Sequence, residues 1–105
     1  MVRVHIWVRK KPDMTAEEFG QRWLERHAPI ARDGYEHLVG YTVALVTRVP
    51  QGQEAPYDGV ATLTWEERDG FKADLASEAG ARATEDLQEF AEASGLLYVE
   101  EHVVK

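Results

Sequence analysis

The chain has 105 residues, 44% hydrophobic and 30% charged, which is enough apolar material for one packed core and too much for a disordered segment. With 19 acidic against 12 basic residues the net charge is −7, which argues against an electrostatic grip on nucleic acid or anionic lipid. There are no cysteines, so disulfides, thiolate nucleophiles and thiolate metal sites are excluded.

No apolar run approaches the roughly 20 residues of a membrane-spanning helix. The first residues lack the charged and then apolar architecture of a signal peptide. The expectation is a single domain over residues 1–105, cytoplasmic, without a membrane or nucleic-acid partner.

Val2 to Val8 alternates as a strand, with Val2, Val4, Ile6 and Val8 on one face and Arg3, His5, Trp7 and Arg9 on the other. Thr15 to Pro29 reads as an amphipathic helix. Thr15 and Glu18 have the spacing of a capping box, and Met14 with Phe19 that of a hydrophobic staple. Phe19, Trp23 and His27 are each four residues apart and share a stripe. Pro29 disfavours helical angles at Ala28, so the helix is expected to end there, with a frayed turn and loop over Ile30 to Glu36.

Leu38 to Val49 is a second expected strand, rich in Val, Thr and Tyr. Pro50 to Pro56 is the most turn-rich stretch and reads as a hairpin loop. Tyr57 to Trp65 is the third strand. Glu66 to Ser77 is a short helix carrying Phe71 and Leu75, broken at Gly80. A further helix is expected from about Ala81 to Ala93, with Ala83, Leu87 and Phe90 on one stripe, stopped at Ser94-Gly95. Leu96 to Val104 is then the last strand.

The order strand, helix, strand, strand, broken helix, strand is the ferredoxin-like α+β pattern, βαββαβ. Right-handed crossovers place the helices on one face of a four-stranded antiparallel sheet. The other face has no cover within the chain, and Trp7, Ala44 and Val46 suggest that it is partly apolar. A second copy docking sheet to sheet would cover it, so a homodimer with a barrel-like interior is expected.

Two residues stand out as chemistry. His27 is either a helix-end residue that packs and caps carbonyls, or a general acid–base group, the role best suited to an imidazole near neutral pH. Asp86 leans toward an apolar stripe, where a carboxylate needs a partner. That partner is either an arginine, such as Arg22 or Arg26, or His27 itself. Tyr41 and Tyr57, near strand ends, can each hand a phenol to a cavity. Trp23, Phe19, Trp65 and Phe90 are candidate walls for a substrate pocket, although a tryptophan such as Trp65 or Trp7 also suits a core. His5 and His102 fall on neighbouring strands, but no third ligand accompanies them, so neither a metal nor a cofactor is expected. No phosphate loop, nucleophile elbow or zinc motif occurs.

The run Phe19-x3-Trp23-x3-His27-Ala28-Pro29, together with Gly40-Tyr41, Tyr57-Asp58-Gly59-Val60 and Asp86-x3-Phe90, resembles EthD-domain proteins of the dimeric α/β-barrel superfamily. The resemblance spans nearly the whole chain. It implies a ferredoxin-like fold and a dimer. Members are associated with ether-degradation gene clusters, and related barrels include a muconolactone isomerase, polyketide cyclases and dehydratases, and cofactor-independent monooxygenases. In isomerase-like relatives a histidine matching His27 lies in the active-site cavity. The cysteine that some relatives use has no counterpart here.

Three functions follow as expectations. The first is a cofactor-independent enzyme of isomerase, dehydratase or cyclase type, acting on a small hydrophobic oxygenated or aromatic compound through His27, Asp86 and Tyr41. The second is a non-catalytic ligand-binding or accessory protein. The third is a cofactor-free or haem-related monooxygenase barrel.

Overall fold

A computed structural model describes residues 1–105. Its elements in chain order are β1 (Val2–Lys10), α1 (Ala16–Arg22), a π-helical turn (Trp23–His27), α2 (Ala28–Gly34), β2 (Leu38–Leu45), β3 (Gly59–Trp65), α3 (Arg68–Ala76), α4 (Glu78–Leu87) and β4 (Ala91–Tyr98). The four strands form one antiparallel sheet in the order β2-β3-β1-β4, which is the ferredoxin-like arrangement.

The alternation of β1 decides which face is covered. Val4 and Val8 are buried, at 1% and 0% exposure, and they sit opposite Leu63 and Gly59 on β3. Ala61, Leu63 and Trp65 project to the same side and are buried with them, as are Phe19 and Trp23 from the first helix and Phe71 from α3. The helices therefore lie on one side of the sheet, and the core is the layer between. Burying an aromatic or branched side chain of this kind contributes roughly 1.5–3 kcal/mol, so this layer dominates stability.

Thr15 caps α1 as its spacing indicates. Its hydroxyl accepts from the Glu18 N–H at 3.1 Å, and the Glu18 carboxylate accepts from the Thr15 N–H at 2.9 Å. The helix does not end at Pro29. Within a continuous α-helix, the proline ring would strike the carbonyl four residues back and leave it unbonded. Here one wider turn intervenes: the Ala28 N–H reaches back five residues to the Trp23 carbonyl, and Pro29 occupies the first turn of α2, where no N–H is required. The chain stays helical to Gly34, replacing the expected loop over Ile30 to Glu36.

Other boundaries differ from expectation as well. β2 stops at Leu45, so residues 46–58 are all loop, and β3 starts at Gly59 instead of Tyr57. Asp58 holds the end of that loop, its carboxylate accepting from the Lys10 N–H at 2.8 Å while its own N–H donates to the Val8 carbonyl. The break between the late helices falls at Ser77, whose hydroxyl caps α4 through the Gly80 N–H, and not at Gly80 itself. α4 ends at Leu87, and β4 runs from Ala91 to Tyr98, not from Leu96 to Val104. Gly95 is consequently no helix stop. It pairs with Trp7 in the sheet, and the Trp7 indole lies across it where a Cβ would stand.

The uncovered face carries Arg3, His5, Trp7 and Arg9 from β1, Val60, Thr62 and Thr64 from β3, and Leu97 from β4. It is more mixed than the sequence suggested, because Val43 and Leu45 turn to the helical side and Val46 lies beyond the strand. No helix is long and apolar enough to cross a membrane.

Candidate active site

A cavity of about 360 Å³ lies between the helices and the sheet. Val4, Ile6 and Val8 form its floor, and Trp23, His27 and Ala31 from the first helical segment form one wall. Leu87 and its neighbours on α4, with Ser94 and Leu96 on β4, border it on the other side. Leu96 is 40% exposed, and it marks the β4 edge as the open side.

His27 enters this wall from the last position of the π-helical turn. Its Nδ1 stands 2.8 Å from Asp86 Oδ2. The same carboxylate receives both terminal nitrogens of Arg22, Nη2 to Oδ1 at 2.6 Å and Nη1 to Oδ2 at 3.0 Å. The three residues come from the last turn of α1, the π-helical turn and the last turn of α4, so the ion pair also clasps the two helical segments together. The Arg22 guanidinium lies over the Phe90 ring, 5.3 Å from its centre, and the His27 ring meets Phe90 edge-on at 5.0 Å.

Electrostatics set the protonation. An ionised carboxylate can only accept, so the ring proton belongs on Nδ1 and Nε2 carries the lone pair when the imidazole is neutral. Burial pushes the His27 pKa below its ordinary value, Arg22 acts in the same direction, and Asp86 offsets them only in part. Burial alone would raise Asp86, but hydrogen bonds from Arg22 and His27 hold its carboxyl below the usual range. Asp86 stands outside the cavity lining, behind the ring, which leaves the Nε2 edge toward the hollow. No buried side-chain nitrogen or oxygen lacks a partner, and Nε2 has no protein partner, so that nitrogen reaches open space.

Tyr41 faces the same cavity from β2. Its oxygen accepts from Trp23 Nε1 at 3.1 Å, and because an indole can only donate, the phenolic proton is free for another acceptor. Burial raises the Tyr41 pKa despite that bond, and burial likewise raises Tyr35, so both are neutral phenols near pH 7. Gly59 makes room for Trp23, since a Cβ there would come within 2.8 Å of the indole ring.

Of the residues singled out from sequence, His27, Tyr41, Trp23 and Trp65 line the cavity. Asp86 supports His27 from behind. Phe19 and Phe90 do not line it. They are core residues at 1% and 0% exposure, Phe19 edge-on to Trp23 and Phe90 tilted against it, with Phe90 in the turn after α4 and not on a helix. Tyr57 is in the 46–58 loop and outside the lining, because β3 begins two residues later than its pattern suggested. Three residues went unnoticed. Tyr35 ends the first helical segment and lines the cavity; it lay in a stretch read as loop. Ser94 was assigned to a helix stop. Asp74 is 2% exposed on α3 and accepts from Trp65 Nε1 at 2.7 Å and from the His37 N–H, fixing the Trp65 wall. Its one signal was a lone carboxylate between Phe71 and Leu75 on an amphipathic helix. His102 lies beyond β4, which ends at Tyr98, so it is not on the strand beside His5; its Nε2 is 3.2 Å from Glu100 Oε1, and no group of three or more metal-binding side chains exists.

Comparison with known proteins agrees with this architecture. No protein of curated function matches the chain. Among solved structures, an ethyl tert-butyl ether D (EthD) family protein from Bacillus halodurans superposes with a TM-score of 0.78 at 19% identity, covering 97% of this chain and 100% of that one. A dimeric ferredoxin-like protein of unknown function from Thermobifida fusca gives 0.72 at 13% identity over 93% and 88%. HapK from Hahella chejuensis gives 0.70 at 18% identity over 100% and 95%. At such identities these likenesses establish the fold. The family model described as the EthD domain matches residues 11–94, from just after β1 into β4, and so takes in Arg22, His27, Tyr41 and Asp86, though not the cavity floor on β1. The chain belongs to the EthD domain family.

Proposed function

We propose that this chain binds a small hydrophobic, oxygenated compound in the cavity and moves a proton on it through His27. The supporting observation is the pairing of a neutral imidazole, its tautomer set by Asp86, with the free O–H of Tyr41 on the wall of one apolar hollow. Nε2 accepts a proton from carbon or oxygen of the ligand, and Tyr41 donates a hydrogen bond to the oxygen where negative charge gathers. Returning that proton to a neighbouring atom is an isomerisation. Passing it to a leaving hydroxyl is a dehydration. Each step uses only groups of the chain.

Proton transfer by one positioned side chain is worth roughly 10²–10⁴-fold in rate. The test is deuterium uptake from D2O into 2-tetralone, an uncharged ketone with acidic C–H bonds, followed by NMR. The wild type should exchange these positions faster than His27→Gln by about 100-fold or more. Equal rates in the two proteins, both folded by circular dichroism, would leave the ligand-binding reading and remove the catalytic one.

The same reading includes a homodimer. Trp7, Val60 and Leu97 lie on the open sheet face, and Leu97 is 56% exposed. Apolar groups clustered in this way mark an interaction surface. The Thermobifida fusca neighbour is described as dimeric.

A further inference from the structure

Charge is missing from the cavity. Of its nineteen lining residues none is Asp, Glu, Lys or Arg. The cation beside His27, Arg22, spends both terminal nitrogens on Asp86 and lies over Phe90, outside the lining. Arg22 and Asp86 cancel one another, and His27 joins them as a neutral ring, so the cluster presents no net positive charge to a ligand. The polar atoms that remain are a lone pair on His27, the phenols of Tyr35 and Tyr41, and the hydroxyls of Thr84 and Ser94. Thr84 is already engaged, donating to the Gly80 carbonyl at 3.0 Å. The protein around the site carries a net charge of −7.

From this we infer that the site selects uncharged ligands bearing a hydrogen-bond acceptor, such as a ketone, aldehyde, lactone or ether on one or two rings, and rejects carboxylates and phosphates. The inference rests on the proposed function, because it takes the His27 cavity as the binding site. Its physical basis is desolvation. A carboxylate entering this hollow gives up its water and meets two phenols but no cation, while a carbonyl oxygen loses little water and gains the Tyr41 donor. Size adds to this: a space of about 360 Å³ holds one or two fused rings.

The experiment is equilibrium dialysis at about pH 7.5 with 2-acetylnaphthalene and 2-naphthoate, near-isosteres that differ in charge. The ketone should bind more than about tenfold tighter than the carboxylate, and Tyr41→Phe should weaken the ketone. Equal or tighter binding of naphthoate overturns the selectivity while leaving the cavity as the binding site. Retention of neither probe overturns the binding reading itself, and this inference with it. Ala83→Lys, which places an ammonium on the lining, should shift the ratio of naphthoate to ketone affinity about tenfold toward naphthoate. Leu75→Lys, at a more exposed lining position, makes the same test if the first variant does not fold. A folded lysine variant in which that ratio does not shift also overturns the inference, since the discrimination would then arise elsewhere.

Discussion

His27 and Asp86 are 59 residues apart in sequence, yet Nδ1 of one lies 2.8 Å from Oδ2 of the other, and both terminal nitrogens of Arg22 bond the same carboxylate. Asp86 therefore divides its charge between an arginine that holds the helices together and an imidazole that faces the cavity. The two demands oppose one another. A stronger Arg22 bond keeps Asp86 ionised but reduces the basicity it lends to the ring.

This opposition can be measured. Asp86→Asn removes the hydrogen bond and charge that raise the His27 pKa, so the pKa should fall further below its ordinary value of 6.5. Arg22→Met removes a positive neighbour that lowers it, so the pKa should rise. Imidazole C–H shifts followed by NMR over pH 4 to 8 check both directions. A His27 titration unchanged by either substitution would contradict the geometry. The stability sign follows from the same shift. With the folded pKa below 6.5, the unfolded chain binds the proton first as pH drops, so stability is retained above 6.5 and is lost between 6.5 and the folded value. Asp86, depressed below 3.8, adds a second loss at lower pH. His27→Gln should remove the first component from the pH dependence of the urea midpoint.

Trp7 lies flat across Gly95 on the open sheet face. The wild type should sediment as a dimer, and Trp7→Glu, which puts a charge at that contact, should sediment as a monomer with its circular dichroism intact. Analytical ultracentrifugation across a range of concentrations separates the outcomes, and a monomeric wild type would end the dimer proposal.

Asp74 is buried between Trp65 and the His37 backbone, 2.7 Å and 3.1 Å from their N–H groups. Asp74→Ala leaves both donors without an acceptor and should cost about 3 kcal/mol, whereas Asp74→Asn, which keeps one acceptor oxygen, should cost about 1 kcal/mol. Urea denaturation gives both values. Because Trp65 walls the cavity, the alanine variant should also weaken 2-acetylnaphthalene binding.

How far the sequence carries is visible in particular residues. The alternation of Val2, Val4, Ile6 and Val8, the Thr15 and Glu18 cap, and the four-residue spacing of Phe19, Trp23 and His27 are local patterns, and local periodicity was enough for the fold class, the sheet's covered face and the helix that carries the histidine. What failed was also local reasoning, applied where distant contacts decide. Pro29 ends a helix in isolation, but a wider turn over Trp23–His27 lets this one continue, bringing Ala31 and Tyr35 to the cavity. The segment after Leu87 has helix-forming residues, yet pairing with β1 draws it into β4, because backbone hydrogen bonds to a central strand outweigh a few tenths of a kcal/mol per residue of helix preference. That shift moved Phe90 off its helix and into the core. Whether Asp86 serves Arg22 or His27 was open in the sequence, and the tertiary structure answers that it serves both. Residue types and spacing set which chemical groups are available. Their pairing, burial and charge balance exist only once α1, the π-helical turn and α4 meet on the sheet, since electrostatic and desolvation energies depend on distances that no single segment contains.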